Sequence, residues 1–239
     1  MNNARINHQR SFASTASTAS TLAVVTLAAL ATFGVACSAT NTVGSQPTIV
    51  LRPNGTDGIV SLVASVSPDQ ASPDYMLVGA SAWTWSGSPG VQHGYLNFDF
   101  SSVPAGAPIA KAILTLTGVG TSNDSLFAES TLSGSNATTI SRVTSAWDEA
   151  TLTWNSQPAT TADGAVVIGP STSPDQSFDV DVTAQVRAML SNGQTYGFAF
   201  QLVDETYYRS MMFAGSNNPN VDARPQLTLH LTGDGGAAD

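Results

Sequence analysis

The chain has 239 residues, 8 basic against 17 acidic side chains for a formal net charge of −9, and 42% hydrophobic residues with only 10% charged ones. So acidic a chain repels phosphate backbones, which argues against nucleic acid as a partner and leaves divalent cations or neutral glycans as better matches. With Cys37 its only cysteine, it can form no intramolecular disulfide.

The first 37 positions read as an export signal. Arg5 and Arg10 make a short basic start, and Thr21–Ala36 is an apolar run of 16 residues, shorter than the ~20 that span a bilayer as a helix. Cys37 follows the small residues Val35 and Ala36, as the acylated cysteine of a bacterial lipoprotein does, although Gly34 stands where such signals usually carry leucine. Ordinary signal-peptidase cleavage near Ala36 or Ala39, or a buried thiol, are the other readings of these residues. Cutting at Cys37 removes both arginines and no acid, leaving six basic residues against 17 and a charge of −11. The expected address is the cell envelope or outer surface, with the membrane reached only through a lipid anchor.

Residues 38–46 are small and polar, a tether. Residues 47–233 are enough for one all-β domain, and 234–239 form a glycine-rich, flexible tail. Within the domain, alternating or short apolar runs predict strands at 60–64, 76–78, 95–100, 109–117, 140–143, 152–154, 166–168, 178–182, 196–203, 211–214 and 227–231. Gly, Pro, Asn, Asp and Ser fill the gaps. Val182, Val186, Met189 and Leu190 fall at helical spacing, so 183–190 is expected as a short helix capped by Asp181 or Thr183 and ended by Gly193. Many short strands and one helix predict an all-β jelly-roll sandwich of two antiparallel sheets.

The segment SAWDEATLTWNSQP, residues 145–158, holds two of the four tryptophans. Leu152 and Trp154 alternate with Thr151, Thr153 and Asn155, the pattern of a strand with an apolar face, and Trp147 sits in a turn-like stretch. Large aromatics so placed are expected as core anchors.

This segment, with YLNFDFSSVPAGAPIAKAILTLT before it and FDVDVTAQVRAMLSNGQTYGFAFQLV and ARPQLTLHL after it, resembles the DNRLRE or disaggregatase-related domains, which are similar to carbohydrate-binding module family 96. The resemblance runs from about Gly58 to Leu231. It implies a jelly-roll sandwich on a secreted or surface-attached bacterial protein, often beside catalytic or adhesive domains. His93 stands where the family commonly has arginine, and FAGSNNPNVDARP lacks the family's serine and glutamate before Arg-Pro. A basic contact to acidic sugars is therefore not carried over.

Candidate site residues each have two readings. Trp83 and Trp85, at i and i+2 in a Ser/Gly/Pro-rich stretch, would point the same way on an extended backbone and form a stacking platform for pyranose rings, or else cover one end of the core. Tyr207, Tyr208 and Arg209 are a second aromatic cluster with a cation, which could contact a glycan or pair with Asp204 or Glu205. Asp99, Asp179 and Asp181 could assemble a structural calcium site across loops, or else Asp179 and Asp181, which alternate with Val180 and Val182, form a solvated strand face.

Catalysis is poorly supported. His93 and His230 have no neighbouring serine or cysteine nucleophile motif, and nothing in the spacing pairs Glu129, Glu149 or Glu205 as the acid and base of a glycosidase. The expectation is a non-catalytic module binding a neutral or weakly acidic polysaccharide. The alternative is a structural or adhesive lipoprotein contacting envelope proteins, with a polysaccharide-degrading enzyme a distant third.

Overall fold

The computed structural model describes residues 47–53, 59–72, 76–120 and 128–232. The export signal, Cys37, the tether and the tail lie outside the described residues. No helix among the described residues is long and apolar enough to cross a membrane.

Eleven strands make two sheets with antiparallel pairing throughout: β1 Thr48–Leu51, β2 Val60–Ala64, β3 Leu77–Trp85, β4 Ser88–Leu96, β5 Ile109–Leu116, β6 Thr138–Val143, β7 Thr160–Ile168, β8 Phe178–Asp181, β9 Phe198–Leu202, β10 Arg209–Ala214 and β11 Gln226–Leu231. The smaller sheet has the order β1-β11-β5-β8, and the larger runs β10-β3-β4-β9-β6-β7 with β2 added against β4. This is the expected sandwich. Its inner core comes from the alternating apolar positions of both sheets, among them Val60, Leu96, Ile140, Phe198, Phe200, Met211 and Phe213 against Leu114, Leu116, Val180, Leu227 and Leu229.

The one α-helix among the described residues, α1 Thr183–Asn192, bridges the two sheets at one end. Val186 and Met189 bury its apolar stripe, Gln185 donates to Ile140 O (2.8 Å) in the larger sheet, and Arg187 donates to Ile109 O (2.8 Å) in the smaller. Asp181 Oδ1 accepts the Thr183 N–H (3.0 Å) and hydroxyl (2.6 Å), and Gly193 ends the helix at φ 64°, the left-handed cap that glycine favours.

β4 pairs with β3 through Ser88–His93, with β9 through Gly94–Leu96 and with β2 through Gln92–Leu96. Two backbones must meet where β3 gives way to β9. A Cβ on Gly94 would lie 2.4 Å from Gly79 O, and one on Gly79, at φ 154°, would lie 1.9 Å from Met211 O. Only glycine fits at this crossing.

A second cluster lies apart from the inner core. Val63, Tyr95, Val143, Leu152 and Ala199 are buried under Trp147, Trp154 and Tyr196. The 145–158 segment is thus an anchor, as its aromatics suggest, but it is not a strand. Asp148 accepts the Ala150 N–H at its side chain (2.9 Å) and the Leu152 N–H at its carbonyl (2.9 Å), and a short 3-10 helix at Trp154–Ser156 follows Thr153. These local bonds take the groups that a sheet ladder would need.

Other boundaries also move. The strand expected at 95–100 ends at Leu96, because Asn97 Oδ1 accepts the Phe98 N–H and Asp99 Oδ1 accepts the Ser101 N–H. β3 runs on to Trp85, so Trp83 and Trp85 sit within a strand. β1 has no predicted counterpart.

Candidate functional site

The β3–β4 hairpin turns on Ser86 and Gly87, at φ 50° and 81°, the pair of left-handed residues that a two-residue hairpin turn requires. This register sets Trp83 opposite Gly90 and Trp85 opposite Ser88. Trp85 lies over Gly90: a Cβ there would be 2.8 Å from Trp85 Cζ3 and 2.4 Å from Val66 Cγ1. Both indoles are half-buried.

Residues 203–208 join β9 to β10 and bring the second aromatic cluster to the hairpin. Tyr208 packs edge-on against Trp83, with ring centroids 5.3 Å apart and an interplanar angle of 85°. Tyr208 holds φ 72°, an outlier for a bulky residue, and its backbone donates to Ala82 O (2.8 Å). Tyr207 and Tyr208 are 39% and 41% exposed. The geometry brings Trp83 and Tyr208 together, with Tyr207 next in the chain and Trp85 two residues along the same strand.

Arg209 is buried. It donates to Ser133 O (3.0 Å) and Ser133 Oγ (3.2 Å) and pairs with Asp204 (2.5 Å), so its guanidinium ties residues 131–134 to the strand. The Thr206 hydroxyl, then Arg209, hold the Asp204 carboxyl down at about 2.

Glu205 goes elsewhere, to His93. His93 Nε2 meets Glu205 Oε1 at 2.7 Å and Nδ1 meets Gln157 Oε1 at 2.8 Å, while the imidazole stacks on Trp154 at 4.7 Å. Gln157 Nε2 donates to Trp154 O (2.9 Å) and its Oε1 accepts from the Tyr95 hydroxyl (2.8 Å), which fixes the amide's orientation. Gln201 Nε2 also approaches His93 Nδ1, at 3.3 Å. Burial pushes the Tyr95 hydroxyl up, so it stays a donor.

The three aspartates stand apart from this strip. Asp99 is exposed at the rim of a cleft of about 600 Å3 lined by Ile59, Asn97, Ser101, Leu190 and Thr195, and the Ser101 hydroxyl and amide hold its carboxyl below the usual range. Asp179 accepts the Thr115 hydroxyl (2.6 Å), and Asp181 is held low by Thr183. Among the described residues no three His, Cys, Asp or Glu side chains gather as a metal would need.

A half-buried indole against a partly exposed phenol, beside small and polar residues, offers an apolar face with hydrogen-bonding edges, as sugar sites do. Comparison with protein families decides the class: carbohydrate-binding module family 96 matches residues 73–231. The chain belongs to that family. No curated protein matches it. Family 96 membership makes this sandwich a carbohydrate-binding module of a non-catalytic family and makes a carbohydrate its ligand class.

The His93–Glu205–Gln157 network of this family 96 module is not among the site residues read from the sequence. His93 stood out there as a replacement for the family's arginine and as a histidine without a nucleophile motif, and Glu205 as a possible partner of Arg209 and as a carboxylate that no spacing pairs for glycosidase chemistry. Nothing local signals their contact, which spans 112 positions.

Proposed function

We propose that the chain is a non-catalytic module that binds a neutral or weakly acidic polysaccharide on the aromatic strip of Trp83, Trp85, Tyr207 and Tyr208, and that it does so at the bacterial cell surface. The observation that carries the site is Tyr208. A bulky residue is held in the left-handed region at a cost of roughly 1 kcal/mol, and the result is a partly exposed ring set against Trp83. Strain that leaves a ring partly exposed suits a surface that has work to do.

Arg209 and Asp204 belong to the scaffold of this site, since their polar groups are spent on each other, Ser133 and Thr206. Glu205, exposed beside it and held by buried His93, offers a polar edge to a sugar. The test is affinity electrophoresis through gels containing neutral and uronate polysaccharides. Tyr207→Ala combined with Tyr208→Gly is expected to lose at least tenfold in retention with its melting temperature unchanged. Retention equal to the wild type would put the ligand elsewhere.

The surface address rests on the apolar run and Cys37. Acylation at Cys37 would leave the module on a short tether facing its ligand. It is checked by whether full-length protein partitions into detergent and whether Cys37→Ser moves it to the aqueous phase; a variant that partitions like the wild type removes the anchor.

A further inference from the structure

Glu129 is fully buried, yet both of its carboxylate oxygens lack a hydrogen-bond partner among the described residues. Its backbone N–H donates to Pro174 O (3.1 Å), which ties it to the segment before β8. The Ser171 hydroxyl and the Gln176 backbone amide face the carboxylate without closing a bond of normal geometry, and Asp175 stands close enough to repel it.

The surroundings are polar and well ordered by bonds of their own. Asn136 donates to Ser171 Oγ (2.8 Å) and Ser210 O (2.8 Å) and accepts the Ser171 N–H (2.9 Å), and Ser210 Oγ donates to Ala128 O (2.5 Å). A buried carboxylate without partners is strongly unfavourable in such a place. A second carboxylate beside it makes matters worse, unless a cation lies between them.

We propose that Glu129 and Asp175 are the acidic ligands of a calcium site, completed by neutral oxygens of the 171–176 segment and by water. Calcium takes six to eight oxygens and tolerates irregular geometry, which fits two carboxylates set among hydroxyl and carbonyl groups. Two negative charges match one divalent cation. The site is separate from Asp99, Asp179 and Asp181.

The experiment is thermal unfolding of the purified chain in excess calcium chloride or in EDTA, with calorimetric titration of calcium for stoichiometry. Calcium is expected to bind at one ion per chain and to raise the midpoint by on the order of 5 °C at a hundredfold excess over Kd. Glu129→Gln, which copies the protonated carboxyl and should fold, is expected to lose the response, and Asp175→Asn to weaken it. An adventitious ion at Asp99, Asp179 or Asp181 would leave the Glu129→Gln response intact and would overturn the proposal. So would a wild-type midpoint that is the same in calcium and EDTA, or a titration with no heat of binding.

Discussion

Two neighbouring residues, Tyr208 and Arg209, show how differently one sequence cluster can be used. Arg209 turns inward to Ser133 and Asp204, while Tyr208 stays partly exposed against Trp83. Their proximity in sequence is visible from the chain alone; their division of labour depends on the left-handed turn at Tyr208, which no composition rule announces for tyrosine. The same turn makes Tyr208→Gly a clean probe. Removing the aromatic pair costs about 0.5–1.5 kcal/mol, and glycine at positive φ recovers about 1 kcal/mol. The two nearly cancel, so the melting temperature should stay within about 3 °C of the wild type while binding is lost. A loss of stability well beyond that would make Tyr208 a packing residue.

At the scale of elements, strands whose apolar residues alternate against a buried face were legible: β2, β5, β8 and β11 fall within a residue or two of their expected bounds. Trp83 and Trp85 were hidden, because Ser, Gly and Pro around them read as loop, whereas the Ser86-Gly87 turn makes them part of a long hairpin. The 145–158 segment misled in the opposite direction. Its alternation imitates a strand, but Asp148, Thr153 and Ser156 bond to nearby backbone and fold it as a lid over Tyr95 and Val63. As a lid it should be costly to damage. Trp147 donates its indole N–H to Tyr196 O (2.8 Å) and packs on Tyr95 at 5.7 Å. Trp147→Ala is therefore expected to cost about 3 kcal/mol, or about 6–12 °C in midpoint. A calorimetric midpoint within about 2 °C of the wild type would show that the lid does not hold the fold.

Across the whole molecule the pattern is a closed core between two sheets, a lid of tryptophans over a second small core, and a strip of more exposed aromatics where the hairpin meets the β9–β10 connection. Fold class and ligand class were within reach of the sequence, since strand spacing and the family motifs are local. The contacts that shape the site were not, because His93 with Glu205 and Trp83 with Tyr208 join residues more than a hundred positions apart. The four tryptophans, two in the lid and two in the strip, let one measurement separate the roles. In a nitrogen-15 correlation spectrum of the module, the four indole N–H signals can be followed while a bound polysaccharide is titrated. The indoles of Trp83 and Trp85 are expected to shift with the ligand, and those of Trp147 and Trp154 to stay in place. Movement of the Trp147 and Trp154 signals with Trp83 and Trp85 unchanged would contradict the account and move the binding surface to the lid.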